Sequence, residues 1–183
     1  MNAVRTIAPT ARVFAQPTSA TFSSPPVAAL LSRYLAGVSV DPFARGSSLA
    51  TITNDLDPNQ PAMHHMHAEE FADMLTAQGV VADVILLDPP YSYRQCVEVY
   101  KSVGREWLKD DQQQVCRWSR LKDKLTAILR PGGIAISFGW NTNGFGKIRG
   151  FEALEYLCIA HGSAHNDTLV TVERRSGPAR EKP

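Results

Sequence analysis

The stretch VILLDPPYSYRQ, residues 84–95, decides how the chain must fold. Val84, Ile85, Leu86 and Leu87 form a short continuous apolar run, the pattern of a strand buried on both faces of a parallel sheet. The run stops at Asp88-Pro89-Pro90, because prolines supply no backbone donors and hold φ near about −65°. A residue before proline is also driven out of the helical region, so the segment is rigid and extended. The Asp88 carboxylate and the proline carbonyls are left as acceptors at the end of a strand, with Tyr91 beside them.

Outward from this stretch, strand-like and helix-like segments alternate. VAALLSRYLAG, 27–37, reads as a helix with prolines at its start and a glycine at its end. VSVDPFARGSS reads as a strand ending at Asp41 and a turn, and LATITNDLDP as a second strand ending near Asn54 and Asp55. A short edge strand is expected near 62–67, then a helix over 68–79. From Gln95 to Gln114 the pattern is helical but broken. Residues 117–133 form an amphipathic helix stopped by Pro131 and Gly132, leading into a strand at 134–140. The last strands, 154–160 and 168–174, are joined by too few residues for a helical crossover and must pair as an antiparallel hairpin. The expectation is an α/β fold with a mostly parallel sheet and one antiparallel hairpin. Residues 1–20 read as a flexible N-terminal tail, 21–175 as a single domain and 176–183 as a flexible basic C-terminal tail.

A length of 183 residues suits one domain of the usual ~100–200 residues. No apolar run approaches the roughly 18 residues that a membrane span needs, and the N-terminus lacks the apolar core of a secretory signal. A cytoplasmic protein with no membrane partner is expected. Cys96, Cys116 and Cys158 are widely spaced, which argues against a disulfide framework or a structural zinc site. The histidines fall in two groups, His64/His65/His67 and His161/His165, without the spacing of a known metal site, and no metal is expected. With a net charge of +1, attraction to nucleic acid would need a local basic face. Arg117, Arg120, Lys122, Lys124 and Arg130 offer one and Arg174, Arg175, Arg180 and Lys182 another; a solvated helix face and a tail account for them equally well.

Ligands of such sheets bind outside the carboxyl ends of the strands, where the segments 41–46, 54–55 and 88–91 should converge. DPFARGSS is neither a dinucleotide fingerprint nor a P-loop. Asp55 stands where ribose hydroxyls are commonly held, with Asp57 as the alternative. Asp88 beside two proline carbonyls is an array of acceptors suited to a planar group with two N–H donors, such as an exocyclic amine. Drawing both hydrogens out of plane localises the nitrogen lone pair toward an incoming methyl carbon, and Tyr91 can stack on the ring. Trp140, Asn141, Asn143, Phe145 and Lys147 follow a strand on the same edge and read either as pocket wall and strand contacts or as a Gly/Asn turn with Trp140 in the core; Phe145 is expected to be exposed.

The segments VDPFARGS, TNDLDP, LLDPPYS.RQ, PGGIAISFGWN.NG.GK and HG.AHNDTLVTVE together resemble the small adenine-specific DNA methyltransferases of bacteriophages and prophages, over roughly residues 20–175. The resemblance implies a Rossmann-like methyltransferase sheet of seven strands with the last reversed, helices on both faces, and S-adenosylmethionine as cofactor. It implies that Asp41, Phe43, Ala44 and Gly46 line the cofactor's methionine part, that Asp55 meets its ribose, and that Thr21 and Phe22 match the N-terminal cofactor segment. Asp88, Pro89, Pro90 and Tyr91 become the catalytic set, with Asp88 also against the cofactor. Arg45 stands where many relatives carry glycine, and His67 where an acidic residue toward the cofactor's adenine is expected. The implied partner is DNA with its target base flipped out, read through 92–116 and 141–150 with low or short specificity; a homodimer could add contacts. An RNA or protein-glutamine substrate, or a noncatalytic antirestriction protein on the same fold, are the alternatives.

Overall fold

The computed structural model describes residues 8–18, 20–105, 118–162 and 165–177. The strands are β1 (Thr10–Phe14), β2 (Ser39–Asp41), β3 (Ile52–Thr53), β4 (Ala82–Leu87), β5 (Leu129–Gly139), β6 (Phe151–Ala160) and β7 (Thr168–Arg175). The helices are α1 (Pro25–Tyr34), α2 (Ala68–Ala77), α3 (Tyr93–Ser102) and α4 (Ser119–Ile128). One sheet holds the seven strands in the order β1-β6-β7-β5-β4-β2-β3. All neighbours pair in parallel except β7, which runs antiparallel to both β5 and β6.

β4 lies inside the sheet, and its unbroken apolar run follows from that position. Ile85 and Leu87 face a core built with Phe71 and Leu75 of α2 and Leu121 and Leu125 of α4. Val84 and Leu86 face the opposite core, built with Val27, Leu30 and Leu31 of α1 and with Val170 and Val172 of β7. Each such fully buried side chain is worth about 1.5–3 kcal/mol relative to an exposed one. Helices therefore cover both faces, as the sequence pattern requires.

α1 opens on Pro25 and Pro26, where missing N–H groups cost the helix nothing, and ends at Tyr34 rather than Gly37. Gly37 instead has φ of 72°, and a Cβ there would stand 2.2 Å from Asp83 Oδ2. That close approach lets Asp83 accept from Val38 N at 2.8 Å, tying the start of β2 to β4.

The structure departs from the sequence expectations in three further places. Residues 10–14 are not tail but the edge strand beside β6. The edge strand expected at 62–67 is reduced to a single bridge, Asn54 to His64. The sheet thus reaches seven strands by a different membership. α4 ends at Ile128, not at Pro131; Pro131 and Gly132 fall in a break of register where β5 joins β4, between the pairs Ala82–Leu129 and Val84–Ile134.

The basic helix face is largely tied to carboxylates. Lys124 meets Asp73 at 2.5 Å, Arg130 meets Asp83 at 2.5 Å and Arg120 meets Glu69 at 3.6 Å, while Lys122 is buried. Arg117, Cys116, Arg180 and Lys182 lie outside the described residues, as does much of the proposed base-reading segment 92–116. Among the described residues no helix is long and apolar enough to cross a membrane, and no three His, Cys, Asp or Glu side chains are gathered to hold a metal ion.

Candidate active site

The chain leaves β2 for the edge strand β3 and then crosses back to β4, so β2 and β4 flank the switch point at which ligands of open α/β sheets bind. Asp41 ends β2 and Asp88 directly follows β4. The two carboxylates have different tasks. Asp41 is fully buried and lines none of the surrounding cavities. Its Oδ1 accepts from Phe43 N at 2.9 Å, closing the turn that carries residues 42–46 over the cleft. Its Oδ2 has no partner among the described residues. Burial, reinforced by the nearby charges of Asp88 and Asp55, pushes its carboxyl up to about 8. Asp41 therefore supports the turn over the cleft from beneath.

The turn is held from β3 as well. Asn54 donates from Nδ2 to Pro42 O at 3.1 Å and to Met66 O at 3.0 Å, while Ala44 N donates to Asn54 O at 2.9 Å. Asp55 accepts from Arg45 N and from Asp57 N, each at 2.9 Å. Each Asp55 oxygen keeps a second acceptor site, so the residue can still take hydroxyl donors.

Three cavities of about 210, 250 and 430 Å³ meet around Arg45. Together they fall within the roughly 300–1,000 Å³ of small-molecule sites. The first lobe combines Phe43, Met66, Tyr100 and Trp118 with Asp55 and Asp57, an aromatic slot rimmed by carboxylates. Phe43 and Trp118 meet edge to face at 5.0 Å. His67 lines this lobe, but its Nδ1 accepts from Glu69 N at 3.4 Å as the cap of α2. That bond leaves Nε2–H as a donor, suited to a ring nitrogen rather than to an exocyclic amine. The largest lobe lies between residues 20–23 and 43–49; Thr21, Phe22, Phe43, Ala44 and Gly46 all line it, together with Asp88.

The remaining lobe is bounded by Thr21, Asp88, Pro89, Pro90, Tyr91 and Trp140, and closed by His161, His165, Asn166 and Thr168 of the hairpin. Asp88 is half-buried, and partial loss of water pushes its carboxyl upward against the opposing pull of the Tyr91 and Thr21 hydroxyls and the Arg45 charge. The Tyr91 hydroxyl donates to Asp88 Oδ1. Its ring meets Trp140 edge to face at 5.8 Å, and its backbone N–H donates to Gln95 Oε1 at 2.6 Å. Trp140 is 41% exposed, so the alternative of a core tryptophan is excluded.

The other residues expected near a substrate divide differently. Asn141 and Asn143 line a small recess behind Tyr91 and Trp140, not the lobe itself. Phe145, expected at the surface, is 1% exposed and packs on Phe151 with ring centroids 4.8 Å apart. Lys147 lies on an exposed turn, 147–149, and reaches none of these lobes. Sequence reasoning missed Pro17, Thr18, Gln95 and His161 in the third lobe and Tyr100 and Trp118 in the first. Gln95 carried a signal, since it sits four residues after Tyr91 on the helix that follows.

No family model matches the chain, and no curated protein matches it either. Solved structures do share the fold. A protein from Streptococcus mutans described as a SAM-dependent methyltransferase superposes with a TM-score of 0.54 at 16% identity, over 80% of this chain and 46% of that one. TrmN from Thermus thermophilus gives 0.51 at 18% identity, over 82% and 48%. NSun6 from Pyrococcus horikoshii, solved with SFG, gives 0.52 at 15% identity, over 82% and 50%. The chain spans about half the length of each of these proteins. At such identities the likeness establishes the fold, the Rossmann-like methyltransferase sheet with its reversed strand.

Proposed function

We propose that this chain transfers a methyl group from S-adenosylmethionine to the exocyclic amine of adenine in DNA. The observation that carries the reading is that one carboxylate, Asp88, lines both the largest lobe and the lobe walled by Tyr91 and Trp140. A donor in the first and an acceptor in the second would meet at it.

The residues present fit the cofactor. The aromatic slot of Phe43 and Trp118 suits an adenine ring, Asp55 and Asp57 suit ribose hydroxyls, and the lobe bounded by Thr21, Phe22, Ala44 and Gly46 suits an amino-acid arm. A Cβ at Gly46 would meet no atom within 4 Å, so space for that arm lies over the turn. When bound, S-adenosylmethionine supplies a methyl carbon activated by its sulfonium. Asp88 and the carbonyl of Pro89 accept the two amine hydrogens, turning the nitrogen lone pair out of the ring plane and toward the donor lobe. Tyr91 releases its bond to Asp88 as the amine arrives, and Trp140 offers its face at the mouth for a flipped base. After transfer the alkylated nitrogen is cationic and acidic, and Asp88 is placed to take its proton. Holding donor and acceptor in line can supply up to roughly 7–11 kcal/mol of barrier lowering.

The test is incubation of the purified protein with radiolabelled S-adenosylmethionine and unmethylated duplex DNA, beside RNA and protein acceptors, followed by nucleoside and amino-acid analysis. Methyladenine from DNA is the expected product. Label in RNA or in glutamine alone would move the substrate, and absence of label in all three would overturn the enzyme reading.

A further inference from the structure

We infer that Arg45 is the residue that binds the carboxylate of the cofactor's amino-acid arm, and so sets which adenosyl ligands this site accepts. The inference rests on the cofactor reading above and extends it to a side chain standing where many proteins of the resembled family carry glycine.

Two observations support it independently. Arg45 has φ of 49°, in the left-handed region that favours glycine. A side chain kept in that conformation at a ligand site points to a use for it. The turn itself requires the shape, because Asp41 fixes Phe43 N and Asp55 fixes Arg45 N on either side.

The second observation is charge. Arg45 lines all three lobes, and among the described residues lining them it is the sole arginine or lysine. The carboxylates of Asp55, Asp57 and Asp88 line the same space. Those anions favour a sulfonium and an ammonium but repel a carboxylate. S-adenosylmethionine carries all three groups, so its carboxylate needs a cation close by. Arg45 provides one, since it lines all three lobes, its charge is felt at Asp88, and a guanidinium matches a carboxylate with paired donors.

The test compares the full-length protein with Arg45→Gly by calorimetry, using S-adenosylhomocysteine and 5′-methylthioadenosine, which lacks the amino-acid arm. Arg45→Gly is expected to weaken S-adenosylhomocysteine at least tenfold and to leave 5′-methylthioadenosine unchanged. The ligand-free variant should melt at a higher temperature, since glycine relieves the turn, and that rise also reports that it is folded. Unchanged affinity for S-adenosylhomocysteine, or equal loss of both ligands, would overturn the inference. So would loss of DNA affinity with cofactor binding intact, which would assign the cation to a backbone phosphate. If the unmutated protein binds neither ligand, the cofactor reading itself fails, a result separable from the others because no variant is involved.

Discussion

The hydroxyl of Tyr91 donates to Oδ1 of Asp88, so the carboxylate that would receive an amine in the proposed reaction is already engaged by the tyrosine three residues on. The bond satisfies a half-buried acceptor, and on the proposed function an entering amine would have to exchange it. Tyr91 thus orients the Asp88 carboxylate, and the Thr21 hydroxyl also favours its ionised form.

Asp88→Ala should remove the acceptor and leave the aromatic slot of the cofactor intact. By analogy with other preorganised hydrogen-bonding groups, the loss is about 3 kcal/mol or more, at least a hundredfold in rate. Single-turnover methylation and S-adenosylhomocysteine calorimetry on the same preparation check both halves. A variant as active as the original protein would contradict the assigned role.

Tyr91→Phe separates the ring from the hydroxyl. The hydroxyl stabilises the ionised form of Asp88, whose carboxyl burial already raises above the ordinary range. Transfer requires the carboxylate, so activity falls as pH drops through that raised value. Removing the hydroxyl raises it further, and the acid limb of the pH–rate profile should move to higher pH while the alkaline side stays put. A profile displaced toward lower pH would refute the coupling.

Sequence reached the centre of this site more readily than its walls. Val84 to Leu87 announce a buried strand by composition, and Asp88-Pro89-Pro90 by chain stiffness; both are local properties that a window of ten residues contains. β1 gave no such signal because it is a sheet edge: only Val13 of its five residues is shielded from solvent to any degree, and its pairing with β6 spans some 146 positions, as from Thr10 to Tyr156. Trp118, Tyr100 and His161 were missed for the same reason, since each reaches the cleft from an element distant in sequence. Phe145 was misplaced because the glycine and asparagine residues around it suggest an open loop, whereas Glu173 and Lys122, 28 and 23 positions away, fold that loop inward.

Asp41 makes stability depend on pH in a direction opposite to that of a salt-bridged carboxylate. Its folded pKa, about 8, lies above its ordinary value of 3.8. Between those limits the folded state holds a proton that the unfolded chain releases, so stability falls as pH rises from about 4 to 8, by roughly 1.4 kcal/mol per unit at most. Asp41→Asn keeps an oxygen for Phe43 N and removes the titration. The variant should match the original protein near pH 4 and exceed it near pH 8, measured as melting temperature across that range. Parallel curves would show that Asp41 does not titrate there.

The loop after Trp140 is pinned by two buried charges. Lys122 Nζ donates to the carbonyls of Asn143 and Gly144 at 2.7 and 3.0 Å, and burial pushes its ammonium down to about 8. Glu173 accepts from Phe145 N at 2.5 Å and Gly146 N at 2.9 Å. A Cβ on Gly144 would lie 2.0 Å from Glu173 Oε2, so Gly144→Ala forces the carboxylate away from both N–H groups. Each buried donor left unpaired costs about 1–3 kcal/mol, and the variant should lose at least ~2 kcal/mol in urea unfolding. Glu173→Ala loses the same two bonds without a clash. Because both changes break one set of bonds, the double variant should lose clearly less than the sum of the single losses, a coupling of roughly 0.5–3 kcal/mol. Strict additivity would mean that Gly144 is needed for some reason other than the approach of Glu173, and that the loop carrying Trp140 is held by other contacts.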